Sequence, residues 1–166
     1  KPVKMIVPVG QTQKSVDLIS VGKPMIGTKL LIVTYSEQYL EKLNLIAEIN
    51  QDGSVINYQE PDPDKLLEGE VIALDVDGYQ CLAKGYINEP EKNRLSFLYL
   101  VEQVASLQQH EYVISDSPES IKAYRTGDKA CISDNKLFVT GRYGAGQIKK
   151  YGQLVNLEEV QGVLKR

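Results

Sequence analysis

The sequence predicts a mostly β fold with some helix, in the α+β class. Short runs of apolar and β-branched residues end repeatedly at Gly, Pro or Asp, which is typical of strands joined by tight turns. Asp-Gly, a preferred dipeptide of two-residue hairpin turns, follows two of these runs, at Asp52-Gly53 and Asp77-Gly78. Helical periodicity is confined to a few segments, so we expect strands to dominate.

Five stretches are predicted as strands. Residues 28–35, TKLLIVTY, are nearly continuous in apolar character, as in a strand buried on both faces. Residues 44–59 alternate on both sides of Asp52-Gly53 and predict a hairpin. In residues 69–80 the alternation places Ile72, Leu74 and Val76 on one face. The other two stretches are residues 4–10 and 135–142.

Two segments favour helix, and a third leaves both alternatives open. Residues 36–44 can form two turns, and residues 154–166 predict a longer helix that Asn156 can cap, with Glu159 three positions on. Residues 95–107 have apolar residues at helical spacing, whereas LSFLYLV alone suits a strand. Residues 58–70 and 115–120 are rich in turn formers and predict loops.

Composition and charge argue against several classes of function. The 166 residues carry a net charge of −3 with scattered basic residues, whereas binding to nucleic acid needs a concentrated positive field. The single histidine, His110, has nothing arranged around it for a zinc site or a Ser-His-Asp triad. Cys81 and Cys131 predict two buried thiols in a reducing, cytoplasmic compartment. No apolar run reaches the length of a membrane span.

A candidate binding site lies in the stretch AYRTGDKACISDNKLFVTGRYGAGQIKKYG, which begins at Ala123. Asp128 follows a tight Thr-Gly turn, and a carboxylate there can accept two hydrogen bonds from the vicinal hydroxyls of a ribose. We expect Gly127 to leave room for that approach. If a hairpin turns near residues 133–135, Arg142 returns towards Asp128 and can bind a ribose or phosphate oxygen. The alternatives are a turn without a ligand and an isolated surface ion pair.

The glycines after Arg142 predict a hinge. Gly144 and Gly146 permit backbone angles that other residues avoid, so this segment can absorb a large rotation. The alternative to a hinge is a flexible turn. With a hinge here, residues 1–142 form a β-rich unit and residues 143–166 begin a second one.

These motifs resemble the adenylate-forming superfamily, which includes nonribosomal peptide synthetase adenylation domains, acyl-CoA synthetases and firefly luciferase. YRTGD at residues 124–128 is similar to the family's ribose-binding signature, and residues 141–160 resemble its hinge motif. Residues 69–92 resemble its Gly-Glu strand and the Gly-Tyr segment that follows, and residues 20–33 resemble an Ile-Gly-x-Pro segment with its strand. The four motifs occur in the family's order and cover most of the chain.

The resemblance implies a fold and an activity. Residues 1–142 would form the distorted β-barrel subdomain of the large adenylation domain, and residues 143–166 the hinge and first elements of the small C-terminal domain. The complete enzyme would use ATP with Mg²⁺ to convert a carboxylic acid into an acyl-adenylate. It would then transfer the acyl group to a thiol, either coenzyme A or the phosphopantetheine of a carrier protein.

The resemblance also implies roles for individual residues. The nucleotide ribose would be bound by Asp128 and Arg142, with Tyr124 and Thr126. The hinge would comprise Tyr143, Gly144, Ala145 and Gly146, and the face towards the acceptor thiol Gln147, Lys149 and Gly152. No catalytic residue and no metal ligand is expected within the chain.

Departures from the family pattern leave a second interpretation open. Tyr143 stands where the family hinge usually has an acidic residue. The phosphate loop and the late catalytic lysine have no counterpart and are expected before Lys1 and beyond Arg166. The chain is therefore expected to need the rest of the adenylation domain as its partner, to be inactive alone and to bind neither ATP nor AMP tightly. The alternative is a noncatalytic, degenerate copy that acts as a structural spacer in a multidomain synthetase.

Overall fold

Strands make up most of the fold, as the sequence predicts. The computed structural model describes residues 3–9, 12–18, 20–35, 42–59, 67–106, 109–143, 147–150 and 153–156. Side chains are described over residues 20–34, 43–59, 67–103 and 111–143. Within these residues there is a single short helix, so the mostly β class with some α is confirmed.

The elements follow one another along the chain with the helix near the middle. The strands are β1 (Val3–Val9), β2 (Thr12–Leu18), β3 (Thr28–Tyr35), β4 (Lys42–Ile49), β5 (Val55–Asn57), β6 (Glu68–Asp75), β7 (Phe97–Ser106), β8 (Gln109–Ser115), β9 (Ile121–Ser133), β10 (Lys136–Arg142), β11 (Gln147–Lys150) and β12 (Gln153–Asn156). The helix α1 (Pro90–Ser96) begins with a proline, which suits the first turn because its missing N–H would have no helical partner there.

Six strands pair into a closed ring. Their order is β9, β6, β3, β4, β8 and β7, and β7 pairs back with β9. Every pairing in the ring is antiparallel. Strand β10 adds to β9 outside the ring, and β5 adds to β4. Closure leaves the six strands few exposed edges.

Two apolar clusters hold the ring together. One contains Leu31, Val33, Leu43, Leu45, Ile72, Leu74, Leu100, Tyr112 and Ala123, and the other Ile32, Ile46, Ala47, Ile49, Val71, Ala130 and Leu137. Strand β3 supplies both, because Leu31 and Val33 point to one cluster and Ile32 to the other. The prediction that β3 is buried on both faces is confirmed. Removing these side chains from water is the main favourable contribution to folding.

Two of the predicted hairpin turns are present, at residues 52–53 and 134–135. Gly53 has φ +88° in the turn between β4 and β5, and the N–H of Ser54 donates to the Asp52 carboxylate at 2.8 Å. Strands β9 and β10 turn at Asp134 and Asn135, both with positive φ, as a two-residue hairpin requires. The second turn determines where Arg142 lies relative to Asp128.

Several local predictions need correction. Lys42–Asn44, which the sequence assigned to a helix, begins strand β4, and the rest of that segment lies outside the described residues. Glu68–Glu70, assigned to a loop, begins β6, because pairing with β3 and β9 outweighs the local turn signal. Asp77 and Gly78 do form a turn with positive φ, but no strand follows it before α1.

The ambiguous segment, residues 95–107, is divided between two states. Its first residues end α1, and Phe97–Ser106 form β7. The strand prevails because β7 pairs on both sides, with β8 and with β9. At the other end of the chain, residues 154–156 belong to β12, and the predicted helix from residue 157 onwards lies outside the described residues.

Across the described part of the chain, no helix has the length and apolar character needed to cross a membrane. The pairings β1–β2 and β11–β12 each form a separate two-stranded sheet. The boundary between residues 142 and 143 coincides with the end of β10 and stays a prediction as a domain boundary.

Candidate functional site

Thr126, Gly127 and Asp128 form a bulge inside strand β9. The sequence suggested a tight Thr-Gly turn before Asp128, but β9 continues on both sides. Glu70 of β6 pairs with Lys129 and Ile72 pairs with Arg125, so these three residues lie opposite Val71 alone. Bulges of this kind bend a strand and redirect side chains, often beside active sites. The bulge therefore determines how Asp128 is presented.

Gly127 and Thr126 each stabilise the bulge for a physical reason. Gly127 has φ +72°, in the left-handed region that glycine adopts without strain. A Cβ there would come no closer than 3.7 Å to a described atom, the Nη2 of Arg142. The backbone conformation therefore requires glycine, and the room that Gly127 leaves for a ligand stays a prediction. Thr126 donates its hydroxyl to the carbonyl of Val71 at 2.8 Å and accepts the N–H of Asp128 at 3.0 Å.

Asp128 and Arg142 meet at the open end of the β9–β10 hairpin. They are paired in register, and the Nε of Arg142 lies 3.0 Å from Oδ1 of Asp128. The Nη2 of Arg142 also donates to the carbonyl of Thr126 at 2.9 Å. Both side chains stay accessible, with 36% of Asp128 and 60% of Arg142 exposed. An exposed carboxylate beside an exposed guanidinium offers both acceptors and donors to a polyhydroxylated ligand.

A buried carboxylate lies on the other side of the bulge. Glu70 is 2% exposed and forms a two-pronged ion pair with Arg125, at 2.9 Å to Nη2 and 3.3 Å to Nε. Its Oε1 also accepts the N–H of Gly127 at 3.2 Å. The Gly127 carbonyl accepts the N–H of Tyr143 at 2.6 Å, so the bulge is bonded to the residue that follows β10.

Aromatic side chains adjoin this site. The hydroxyls of Tyr124 and Tyr86 share a hydrogen bond of 2.8 Å, and the Tyr124 ring lies 5.1 Å from that of Phe97. The hydrogen bond with Tyr86, together with burial, raises the pKa of Tyr124 above its usual value, and Asp128 and Arg142 also influence it electrostatically. Asn93 of α1 fixes the Tyr86 backbone, accepting its N–H at 2.6 Å and donating to its carbonyl at 2.8 Å.

Comparison with known proteins finds relatives among peptide synthetases and carrier protein ligases. The chain is 40% identical over 102 residues to nonribosomal peptide synthetase 2 of Gibberella zeae, a match that covers 61% of this chain and 2% of the relative. It is 32% identical over 99 residues to the D-alanine–D-alanyl carrier protein ligase of Listeria monocytogenes, covering 60% of this chain and 15% of the ligase. The chain is a homologue of adenylate-forming enzymes. No protein-family model matches it.

The relationship covers only part of these adenylate-forming proteins, since the chain spans 2% to 15% of the curated relatives given above. Among solved structures, a nonribosomal peptide synthetase protein with adenylation and PCP domains superposes over 89% of this chain and 19% of its own, with 27% identity and a TM-score of 0.49. A Vibrio cholerae adenylation domain in complex with glycyl-adenosine-5'-phosphate covers 91% and 21%, with 22% identity and a TM-score of 0.49.

Of the residues predicted to bind ribose, Asp128 and Arg142 are in contact. Tyr124 is hydrogen-bonded to Tyr86, and the charges of Arg142 and Asp128 act on its hydroxyl. The Thr126 hydroxyl is bonded to the Val71 carbonyl of β6 and to the Asp128 N–H, which gives it a supporting position. Their role in nucleotide binding stays a prediction.

The hinge and acceptor-face residues are only partly described. Tyr143 is half-exposed, and the Nζ of Lys129 lies 4.6 Å from its ring centroid. Gly144, Ala145 and Gly146 lie outside the described residues, as does Gly152. Gln147 and Lys149 belong to β11, where the backbone alone is described.

Sequence reasoning missed Glu70, Arg125 and the Asn93 contact with Tyr86. Glu70 was noted only as part of a Gly-Glu motif, although an acidic residue inside an otherwise apolar strand was the available signal. The thiol prediction is half right. Cys131 is buried, and burial raises its pKa to about 11, whereas Cys81 is exposed. The described residues contain no group of three His, Cys, Asp or Glu side chains placed to hold a metal ion, and the side chain of His110 is not among them.

Proposed function

We propose that this chain is the ribose-binding and hinge-bearing part of an ATP-dependent, carboxylate-activating ligase. Its relatives include a peptide synthetase and a carrier protein ligase, which supports this class of activity. The observation that carries the proposal is the bulge in β9, which presents Asp128 to solvent beside Arg142.

The proposed ligand is the ribose of ATP, or of AMP in the acyl-adenylate. The Asp128 carboxylate accepts hydrogen bonds from the 2'- and 3'-hydroxyls, as acidic residues do in other nucleotide-binding folds. Arg142 orients that carboxylate and can turn a free N–H towards a ribose or phosphate oxygen, because a guanidinium carries five donors. Tyr124 and Tyr86 limit the site on one side with a hydrogen-bonded pair of rings.

The reaction proposed for the complete protein has two steps. The substrate carboxylate attacks the α-phosphorus of ATP, the bond from that phosphorus to the bridging oxygen breaks, and pyrophosphate leaves with the electron pair. A thiol then attacks the acyl carbonyl, and AMP leaves. Residues of this chain hold the ribose in both steps, and stabilising the charge on the α-phosphate requires cationic groups elsewhere.

The hinge and the acceptor belong to the same proposal. The segment Tyr143–Gly146 would allow the small domain to rotate between the two steps, bringing Gln147, Lys149 and Gly152 to the acceptor. A carrier protein bearing phosphopantetheine is the proposed acceptor, since one relative is named a carrier protein ligase. The proposed compartment is the cytoplasm, where ATP is available.

Ribose binding by the chain alone is expected to be weak. Two charge-assisted hydrogen bonds contribute roughly 1.5–3 kcal/mol each, about 3–6 kcal/mol in total. Association opposes this with about 4–15 kcal/mol of lost freedom. The dissociation constant should therefore be about millimolar or weaker. For the same reason the isolated chain should catalyse no exchange between ATP and pyrophosphate.

Mapping of amide chemical shifts by NMR tests the proposal at such affinities. We expect AMP at tens of millimolar to shift the signals of residues 124–128 and 142–143, since these surround Asp128. The matched ligand, 2',3'-dideoxyadenosine monophosphate, lacks the diol and should shift them several-fold less. Equal shifts with both ligands, or a response elsewhere in the chain, would contradict ribose recognition and favour the structural spacer.

A further inference from the structure

We infer that Glu70 is the positioning residue of the Asp128 bulge, because its buried carboxylate holds the backbone that places Asp128 against Arg142. The inference deepens the proposed function and rests on it for its functional meaning. The arrangement itself is a property of the chain without nucleotide and can be tested separately.

The first argument concerns the backbone groups that the bulge frees. With three residues of β9 opposite Val71 alone, the bulge cannot keep the regular ladder of hydrogen bonds. A backbone N–H left without a partner in the protein interior is strongly unfavourable. Glu70 accepts the N–H of Gly127, the middle residue of the bulge, and so replaces a missing ladder partner.

The second argument concerns the burial of a charge. At 2% exposure the Glu70 carboxylate is removed from water, and apolar residues at such positions are often equally or more stabilising. The contacts that compensate its burial go to Arg125, immediately before the bulge, and to Gly127 within it. The charge is therefore placed where it shapes the bulge.

The third argument is the route from Glu70 to the proposed ligand. Thr126 and Gly127 accept hydrogen bonds through their carbonyls from Arg142 and Tyr143 respectively. A displaced bulge would therefore move the guanidinium of Arg142, the carboxylate of Asp128 and the first hinge residue together. The bonds that Glu70 makes to Arg125 and Gly127 act on the strand that carries Asp128, so its action is positional.

The experiment uses the isotope-labelled chain and follows the guanidinium Nε–Hε signal of Arg142, which reports its contact with Asp128. Glu70→Gln keeps an oxygen for the N–H of Gly127 but removes the charge that Arg125 needs. We expect exchange of the Arg142 Hε with water to accelerate about tenfold, as expected when a local contact opens more often.

Two further variants separate a positioning effect of Glu70 from general destabilisation of the fold. Glu48→Gln is the matched control, because Glu48 is equally buried and paired with a lysine elsewhere in the ring. It should leave the Arg142 signal within twofold of the wild type. Glu70→Asp keeps the charge beside Arg125 but withdraws the carboxylate by one carbon–carbon bond. It should fold even if Glu70→Gln does not, and it should also accelerate exchange of the Arg142 Hε.

The outcomes are distinct. Unchanged Arg142 exchange in both Glu70 variants would overturn the inference. An equal acceleration in Glu48→Gln would overturn it too, since the effect would then be general destabilisation. If the Glu70 variants release Arg142 as expected while wild-type shifts do not distinguish AMP from its dideoxy analogue, Glu70 positions the pair and the proposed ribose binding is what fails.

Discussion

Glu70 and Glu48 are both buried carboxylates of the strand ring, each 2% exposed and each paired with a basic side chain of an adjacent strand. Glu48 lies opposite Leu31 of β3, with its Oε2 3.1 Å from the Nζ of Lys29. Its Oε1 has no hydrogen-bond partner among the described residues. Glu70 instead borders the bulge and is bonded to both a guanidinium and a backbone N–H.

The difference shows that two equally buried carboxylates can have different structural roles. Both carboxylates are unfavourable to bury, and both ion pairs offset part of that effect. Glu48 holds side chains only, a lysine that can reach solvent and the hydroxyls of Tyr58 and Tyr112, whereas Glu70 also supports a backbone conformation that the sheet alone would not keep. We therefore expect changes at Glu70 to reach the candidate site and changes at Glu48 to stay local.

The largest expected effect comes from removing each carboxylate. Glu70→Ala should lower the free energy of unfolding by about 3 kcal/mol, since it removes the buried carboxylate that pairs with Arg125 and accepts the N–H of Gly127. Glu48→Ala should lower it by about 1–2 kcal/mol, because Lys29 can extend into water. Urea unfolding of the two variants measures both values. A larger loss for Glu48→Ala would reverse the comparison.

The next effect is a loss of stability at alkaline pH that originates near Glu48. Burial first, and then the charge of Glu48, raise the pKa of Tyr58 and of Tyr112 well above the usual range. The folded state thus keeps these protons where the unfolded chain loses them. Stability should be fully present below about pH 10 and fall as the pH rises beyond it.

Urea midpoints between pH 8 and pH 11 measure this loss, and the raised pKa of Cys131 contributes with the same sign. The fall of the urea midpoint with rising pH should be less steep in Glu48→Gln, because this variant removes one cause of the raised tyrosine pKa values. A stability that is flat or rising across this range would contradict the assignment.

A smaller effect tests the bulge through its backbone. Gly127→Ala should destabilise the chain by about 1–2 kcal/mol, because φ +72° is unfavourable for a residue with a Cβ. Gly141→Ala is the matched control on the adjacent strand, where a Cβ would meet no described atom within 4 Å. Thermal unfolding compares the two. If both substitutions are neutral, the bulge is not held in the left-handed conformation.

The smallest effect on stability is expected at the candidate site itself. Asp128→Asn should change the free energy of unfolding by about 0.2–1 kcal/mol, since the pair with Arg142 is exposed to solvent. The same variant should abolish the difference between AMP and its dideoxy analogue in the NMR mapping. A large stability loss with unchanged ligand response would assign the pair to structure alone.

Local signals were sufficient for much of the candidate site. The turn residues Asp134 and Asn135 lie midway between Asp128 and Arg142, and hairpin geometry alone brings the two ends together. Asp52-Gly53 predicted its hairpin in the same way. Prediction was wrong at residues 42–44 and 68–70, where local composition favoured a helix or a loop and pairing with distant strands decided otherwise.

The sequence by itself determined the mostly β class, the β9–β10 hairpin and the meeting of residues 128 and 142, because alternation and turn chemistry act over short distances along the chain. Only the tertiary structure decided that Thr126-Gly127-Asp128 is a bulge within a strand and that Glu70 lies beneath it. Both depend on the register between β6 and β9, which joins residues more than fifty positions apart. Such a register results from packing of the whole ring, and no local pattern along the chain encodes it.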